Sequence, residues 1–446
     1  MVNRVVIAAP ASGHGKTTVA TGLLAAFARR GVRVAPFKVG PDYIDPGYHA
    51  LAAGSPGRNL DPVMVGEEQI GPLFVHGSRG AELAIIEGVM GLYDGRTGAG
   101  DQGSTAQVAS LLDAPVIMVV DAAAQGRSIA AVVHGFRSFG TVRLAGVILN
   151  RVGSDRHEQI LRDACEEVGT PVLGALRRVD AVAAPSRHLG LVPAAERRAE
   201  ALASVEAMAE LIAASVDLDA VAAVARSAAP LVSRAWDPVA AEPVTGGPVV
   251  AVAGGPAFSF SYAETTELLA GAGATVVTFD PLHDERLPDG TRAIVVGGGF
   301  PEVYASALSA NEPLRAAVKA FDGVIAAECA GLLWLCDSLD GAPMCGVLEA
   351  EAVMSPTLTL GYRDAVALSD SPLGPAGTRV TGHEFHRTMV HPRSGLLLSP
   401  AGGAAWAWRG ADPEGFASAR LHASYLHLHW AGTPALAGSL VTAALR

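Results

Sequence analysis

The chain has 446 residues, is half hydrophobic and 17% charged, and carries a formal net charge of −11. That length suits two domains with buried cores, while an acidic balance without any basic cluster argues against a nucleic-acid surface. No apolar run reaches the roughly 18–20 residues needed to span a bilayer, and the opening MVNRVVIAAPASGHGK turns polar too early for a signal peptide. Four cysteines, Cys165, Cys329, Cys336 and Cys345, lack paired spacing and point to a reducing compartment. A cytoplasmic α/β enzyme is the expectation, with neither nucleic acid nor membrane as partner.

Short β-branched runs alternate with helical patterns from the start. Residues 4–8 are strand-like, and 16–30 are helix-like with Val19, Leu23 and Phe27 spaced by four and Gly31 at the expected C-cap. Further strands are predicted over 34–37, 83–86, 116–120 and 145–149. Near-continuous apolar strands separated by helices indicate a parallel sheet covered on both faces. From about 216 to 248 the pattern dissolves into Ala, Pro, Ser and Gly, and the end of that stretch reads as a linker. A second series follows over 249–252, 274–279, 293–296 and 324–327. The fold class is therefore α/β, two tandem three-layer domains, with boundaries expected at 1–235 and 248–446.

In the first domain, APASGHGKTT joins the first strand to the first helix. Small residues let successive backbone N–H groups face phosphate oxygens, and the helix N-terminus adds its dipole. Lys16 would reach the β and γ phosphates and Thr17 would ligate Mg²⁺. Pro10 stands at the first glycine position of the strict motif, but the GKTT core is intact. After the second strand, FKVGPDYIDPGYH crowds two carboxylates, a lysine, two tyrosines and a histidine into one loop, at the edge where open α/β sheets bind ligands. IIEGVMGLYDG ends a strand in Glu87, a candidate Mg²⁺ ligand, with Asp121 as rival. Asn150-Arg151 at another strand end could contact a nucleotide base, and Asp94-Gly95 is site-like with a simple turn as the lesser alternative.

In the second domain, IAAECAGLLWL has the form strand, sharp turn, helix. Such an elbow exposes Cys329 above the sheet and aims a helix N-terminus at it, and the dipole with a nearby base is expected to lower the thiol pKa. Cys336 and Cys345 lack that setting. GGGFPE, with Gly298 and Gly299, suits an oxyanion hole, which the Ala330 N–H beside the cysteine would complete. HASYLHLHW supplies three candidate bases, His422, His427 and His429, the last two on one face if the segment is extended. GHEFH, residues 382–386, is polar and site-like but without an assignable role.

The ordered set SGHGKTT, KVGPDYIDPGYH, EGVMGLYDG, GGGFPE, ECAGLLWL, GHEFH and SYLHLHW resembles the cobyrinic acid / hydrogenobyrinic acid a,c-diamide synthase family. The N-terminal half is similar to dethiobiotin-synthetase-type P-loop enzymes, and the C-terminal half to class I glutamine amidotransferases of the cobyric-acid-synthase type. The resemblance implies that glutamine is hydrolysed at Cys329, with His427 as base. The ammonia would amidate the c and a acetate carboxylates of hydrogenobyrinic or cobyrinic acid, each first activated by ATP as an acyl phosphate. It implies ATP on Ser12, Gly13, Gly15, Lys16, Thr17, Thr18 and Asn150, and Mg²⁺ on Thr17, Asp45 and Glu87. The corrin would meet Lys38, Asp42, Tyr43 and Asp94, and a homodimer is left open. The usual class I triad carries a glutamate two residues after the base; here that position is His429, a loss the cobyric-acid-type branch tolerates, which leaves open what orients His427. Cobyric acid synthase and nickel-sirohydrochlorin a,c-diamide synthase are sibling readings; a P-loop NTPase switch protein is the rival from another class.

Overall fold

Seven strands of the N-terminal half lie side by side: β1 (Asn3–Ala8), β2 (Val34–Val39), β3 (Arg58–Leu60), β4 (Leu83–Glu87), β5 (Val116–Asp121), β6 (Leu144–Val152) and β7 (Val172–Arg177). The computed structural model describes residues 2–178, 186–187, 190–191, 193–239, 246–395 and 402–446. In it these strands form one parallel sheet of order β3-β2-β4-β1-β5-β6-β7. Burial of both faces explains the unbroken apolar runs: Val5, Val6, Ile7, Ile85, Ile86, Ile117 and Val119 are all fully enclosed. Helix α1 (Lys16–Arg29) starts after the glycine loop that follows β1, and α2 (Asp45–Ala53) follows β2. The carboxyl ends of β1, β2 and β4, three neighbouring strands, thus deliver the loop, Lys38 and Glu87 to one edge of the sheet.

Every strand predicted in this half is present; the first gains Asn3 at its amino end, and the others run one to three residues further at the carboxyl end. The chain divides into two compact units, Met1–Trp236 and Asp237–Arg446. The first part of the stretch whose pattern seemed to dissolve is helical, over Leu218–Arg226, where the Asp217 side chain caps the N–H groups of Asp219 and Ala220. Residues 240–245 of the expected linker lie outside the described residues.

The second unit begins with β8 (Val249–Ala253), β9 (Thr275–Phe279), β10 (Thr291–Val296) and β11 (Val324–Glu328), followed at once by the short, wholly buried helix α3 (Ala330–Leu335). Then come two long strands that the sequence reading missed, β12 (Glu351–Ala367) and β13 (Arg379–His391), an antiparallel pair with a register shift between Met354 and Thr359. Pro356, Gly361 and a half-exposed residue pattern hide β12 from an apolar-run search. The last strands are β14 (Phe416–Ser418), β15 (Leu421–Ser424) and β16 (His427–Leu428). One sheet has the order β9-β8-β10-β11-β15-β14, whereas β16 pairs with β13 in a second sheet. Tyr425 and Leu426 therefore carry the chain from one sheet to the other. Among the described residues, no helix is long and apolar enough to cross a membrane.

Candidate active sites

The loop between β1 and α1 uses Gly13 and Gly15 in the left-handed region, at φ 83° and 95°. One side chain and one main-chain N–H from neighbouring strand ends brace it. Asn150 Nδ2 donates to the His14 carbonyl at 2.9 Å, and His14 Nδ1 accepts the Asp121 N–H at 2.9 Å. Asn150, expected at the nucleotide base, thus has its amide on the loop, while its Oδ1 accepts the Arg151 N–H. Ser12 and Gly13 are exposed and Thr18 is partly buried. Lys16 folds back so that its ammonium donates to the Met90 and Ala11 carbonyls. Burial, then the neighbouring Lys38 charge, lower its pKa to about 8.

Thr17 Oγ1 donates to Glu87 Oε1 at 2.6 Å and lies 3.2 Å from Asp45 Oδ2. The same two carboxylates hold the Lys38 ammonium, at 2.6 Å from Asp45 Oδ2 and 2.9 Å from Glu87 Oε1. His49 Nε2 stands 2.7 Å from the other Glu87 oxygen; the sequence reading counted this histidine but gave it no role. Burial by itself would raise the Glu87 carboxyl, but Lys38, His49 and Thr17 outweigh it and hold the group well below the carboxylate range. Burial and Asp42 push Asp45 the other way, up to about 7. The geometry separates the rival metal ligands: Asp121 pairs with Arg151 and caps the Ala123 N–H, whereas Glu87 shares the Thr17 hydroxyl with Asp45. A hydroxyl and two carboxylates form a hard, all-oxygen set that fits Mg²⁺, an ion that keeps several waters and takes one or two carboxylates.

The remaining residues expected to meet substrate are engaged in shaping loops. Asp42 Oδ1 accepts the N–H groups of Ile44 and Asp45, at 2.8 and 3.0 Å, which fixes the start of α2. Asp94 Oδ2 accepts the Gly91 N–H at 2.9 Å, closing a turn. Tyr43 is partly buried between them in sequence, on the loop after β2.

In the second unit, Cys329 follows β11 directly and takes φ 49° and ψ −102°, a conformation that costs a non-glycine residue strain and marks an elbow. Its N–H donates to the Ser424 carbonyl at 2.7 Å, and the Gly331 N–H donates to Gly297 at 3.1 Å. The elbow is thereby pinned between β15 and the glycine loop. The thiol faces the Phe385 carbonyl at 3.8 Å, so the GHEFH stretch walls the sulfur.

The expected activation of the thiol is not what the structure contains. Burial and the charge of Glu302 push the Cys329 thiol well above its ordinary value, with the Ala330 N–H opposing them weakly. The side chain is almost fully enclosed, the carboxylates Glu302, Glu328 and Glu384 surround it, and a six-residue helix adds little dipole. Cys336 and Cys345 are also buried and raised, Cys336 to about 12.

Of the three histidines, His427 is the one against the glycine loop: a Cβ on Gly298 would come within 2.3 Å of His427 Cε1. Burial, reinforced by His383 and His386, lowers His427 to about 3, so its imidazole is neutral at pH 7 in this conformation. His422 packs at the edge of Trp406 and 3.2 Å from Ser371 Oγ. His429 stacks on Tyr262 with centroids 4.2 Å apart, its Nε2 3.8 Å from Glu264 Oε2. Gly298, expected as an oxyanion donor, commits its N–H to the Phe260 carbonyl at 3.0 Å in a two-way bridge. In this conformation Gly299 and Ala330 are the donors left from the expected three. In GHEFH, Glu384 pairs with Arg363 at 2.6 Å, and His386 stacks on Tyr425 at 3.7 Å.

Residues 5–192 match the family model of the CobQ/CobB/MinD/ParA nucleotide binding domain, and residues 249–435 that of the CobB/CobQ-like glutamine amidotransferase domain. A protein of Streptomyces coelicolor named hydrogenobyrinate a,c-diamide synthase is 57% identical, over 99% of this chain and 97% of its own. The chain belongs to the a,c-diamide synthase family. Another member, from Mycobacterium tuberculosis and also named hydrogenobyrinate a,c-diamide synthase, is 54% identical over 97% of this chain and 96% of its own. A Gloeobacter violaceus member named cobyrinate a,c-diamide synthase is 45% identical over 97% of this chain and 95% of its own. Among solved structures, chloroplast FtsY from Physcomitrella patens matches at TM-score 0.31 and 17% identity, over 40% of this chain and 60% of that one, a likeness too distant to argue from.

Proposed function

We propose that the chain is a glutamine- and ATP-dependent ligase that converts the a and c acetate carboxylates of hydrogenobyrinic acid to amides. The observation that carries this reading is the presence, in one chain of this family, of two chemically complementary sites. One is a phosphate loop with Lys16, Thr17, Asp45 and Glu87; the other is a buried thiol at a strained elbow with a neutral imidazole, His427. The relatives above half identity carry the hydrogenobyrinate name, which favours the cobalt-free corrin over cobyrinic acid.

At the second site, His427 takes the Cys329 proton as sulfur attacks the side-chain amide of glutamine, and the N–H groups of Gly299 and Ala330 receive the developing oxyanion. Ammonia leaves with that proton, and water releases glutamate from the thioester. The high resting pKa of the thiol means that thiolate forms only as the proton moves, in the presence of substrate. At the first site, a corrin carboxylate attacks the γ-phosphorus of ATP, ADP departs, and ammonia then displaces phosphate from the acyl phosphate. A carboxylate is a poor electrophile and an acyl phosphate a good one, which is why the nucleotide is needed. Lys16 and the loop N–H groups take the charge that gathers on the phosphoryl oxygens. Thr17, Asp45 and Glu87 would hold Mg²⁺, which would neutralise the β and γ phosphates.

The test is mass spectrometry of hydrogenobyrinic and cobyrinic acids incubated with ATP, Mg²⁺ and glutamine carrying heavy nitrogen at its amide. Replacement of two carboxyl hydroxyls by heavy amino groups is expected, faster on the cobalt-free acid. No change with either acid sinks the reading. Cys329→Ala should lose glutamine as donor and keep free ammonia.

A further inference from the structure

The usual class I amidotransferase triad orients the base with a carboxylate two residues beyond it, and here that position is His429, which packs on Tyr262. His427 nevertheless sits in a segment that two carboxylates grip by its backbone. Upstream, buried Glu414 accepts from Ser424 Oγ at 2.5 Å and from the Tyr425 N–H at 3.2 Å, and Ser424 Oγ in turn accepts the Leu426 N–H at 2.9 Å. Downstream, Glu328 accepts from the Trp430 indole N–H at 3.2 Å and from the Leu428 N–H at 3.4 Å. Glu328 immediately precedes Cys329, so one carboxylate joins the residue before the nucleophile to the residues after the base. Tyr425 and Leu426 lie between the two sheets, and His427 and Leu428 form only a two-residue strand against β13.

Resting on the reading above, we infer that Glu328, with Glu414 at the other end of the crossover, is a positioning residue that fixes the His427 imidazole relative to the Cys329 thiol. Together they clamp the chain on either side of the base. Their effect is exerted through His427, so it belongs to the step in which the proton moves and not to glutamine binding.

The test is steady-state glutaminase kinetics of the full chain for Glu328→Ala, His427→Ala and the double variant, with ammonia-dependent amidation as a control. Glu328→Ala should lower glutaminase kcat by about 10- to 100-fold, the range seen when a histidine loses its outer orienting partner, and leave KM for glutamine within about twofold. The double variant should be no slower than His427→Ala, because the clamp has nothing left to position. Trp430→Phe, which removes one donor and keeps the packing, should give a smaller kcat loss that likewise vanishes beside His427→Ala. This milder pair carries the test if Glu328→Ala does not fold, as judged by its near-UV circular dichroism. Unchanged kcat in Glu328→Ala, or losses that multiply with His427→Ala, overturns the inference. Wild-type enzyme without glutaminase activity would instead sink the functional reading itself.

Discussion

His427 and Gly298 are in direct van der Waals opposition, with room between the imidazole and the glycine main chain for a hydrogen but not for a methyl group. Gly298→Ala would press its Cβ to 2.3 Å from His427 Cε1 unless the ring moves. The cost is steric, since Gly298 is not among the positive-φ glycines. Glutamine-dependent amidation should fall by about 10- to 100-fold, the order expected for a misplaced catalytic group, while ammonia-dependent amidation stays as in the wild type. Parallel assays with the two nitrogen donors decide it, and equal loss with both would refute the placement.

Lys38 is a single cation enclosed with two carboxylates. Removing one partner of such a cluster leaves uncompensated charge and costs about 3–5 kcal/mol. Lys38→Met is expected to lose amidation with either donor and to lower the urea midpoint of the first unit. Adding Asp45→Asn should recover part of the stability without the activity. A Lys38→Met protein as stable as wild type would show that water, and not the lysine, balances the pair.

The Cys329 thiol is raised by burial first and Glu302 second, so it is protonated at neutral pH. Its alkylation by iodoacetamide should be slower than that of a free cysteine at pH 7.5 and should climb through the alkaline range without a neutral plateau. A glutamine-shaped diazoketone, which seats beside the thiol, should label it far faster. A plateau near pH 7 with iodoacetamide would mean the thiolate is already formed.

Burial lowers His422 to about 3 from an ordinary value of 6.5. Below pH 6.5 the unfolded chain therefore takes up a proton that the folded chain refuses, and this contribution to stability is lost as pH falls toward 3. Glu414, raised to about 7 by burial, acts oppositely: its folded form keeps a proton between pH 7 and 4.5 that the unfolded form releases. His422→Gln removes one loss and leaves the gain. Between pH 7 and 5 the variant should gain about 2 kcal/mol relative to wild type, at about 1.4 kcal/mol per pH unit. Urea titrations followed by tryptophan fluorescence at the two pH values measure this; parallel curves would contradict it.

The sequence made the parallel sheets readable because their strands are apolar on both faces, and the motifs readable because each sits at a polar strand end. Lys16, Thr17, Glu87 and Cys329 come from that signal. Its failures share one cause, which is that a residue's partner is chosen by packing. Lys38 was expected to face substrate, yet its neighbours are Asp45 from the next helix and Glu87 from the adjoining strand. The Gly298 N–H is taken by Phe260, which no motif includes. The thiol pKa follows from enclosure among Glu302, Glu328 and Glu384, not from the elbow itself. The β12–β13 pair alternates too weakly to betray a strand, so the surroundings of GHEFH were invisible.

The crossing made by Tyr425 and Leu426 has a structural consequence. The sulfur rides on one sheet and the imidazole on another, and among the described residues β16 pairs with β13 alone, through Gly382–Leu428 and His383–His427. The long pair of strands thus borders both reacting groups at once: His383 is in register with the base, and the Phe385 carbonyl two residues on faces the sulfur. Leu360, solvent-facing, lies directly opposite Phe385 on the partner strand, so the outer surface of the pair is one strand away from the Cys329 thiol.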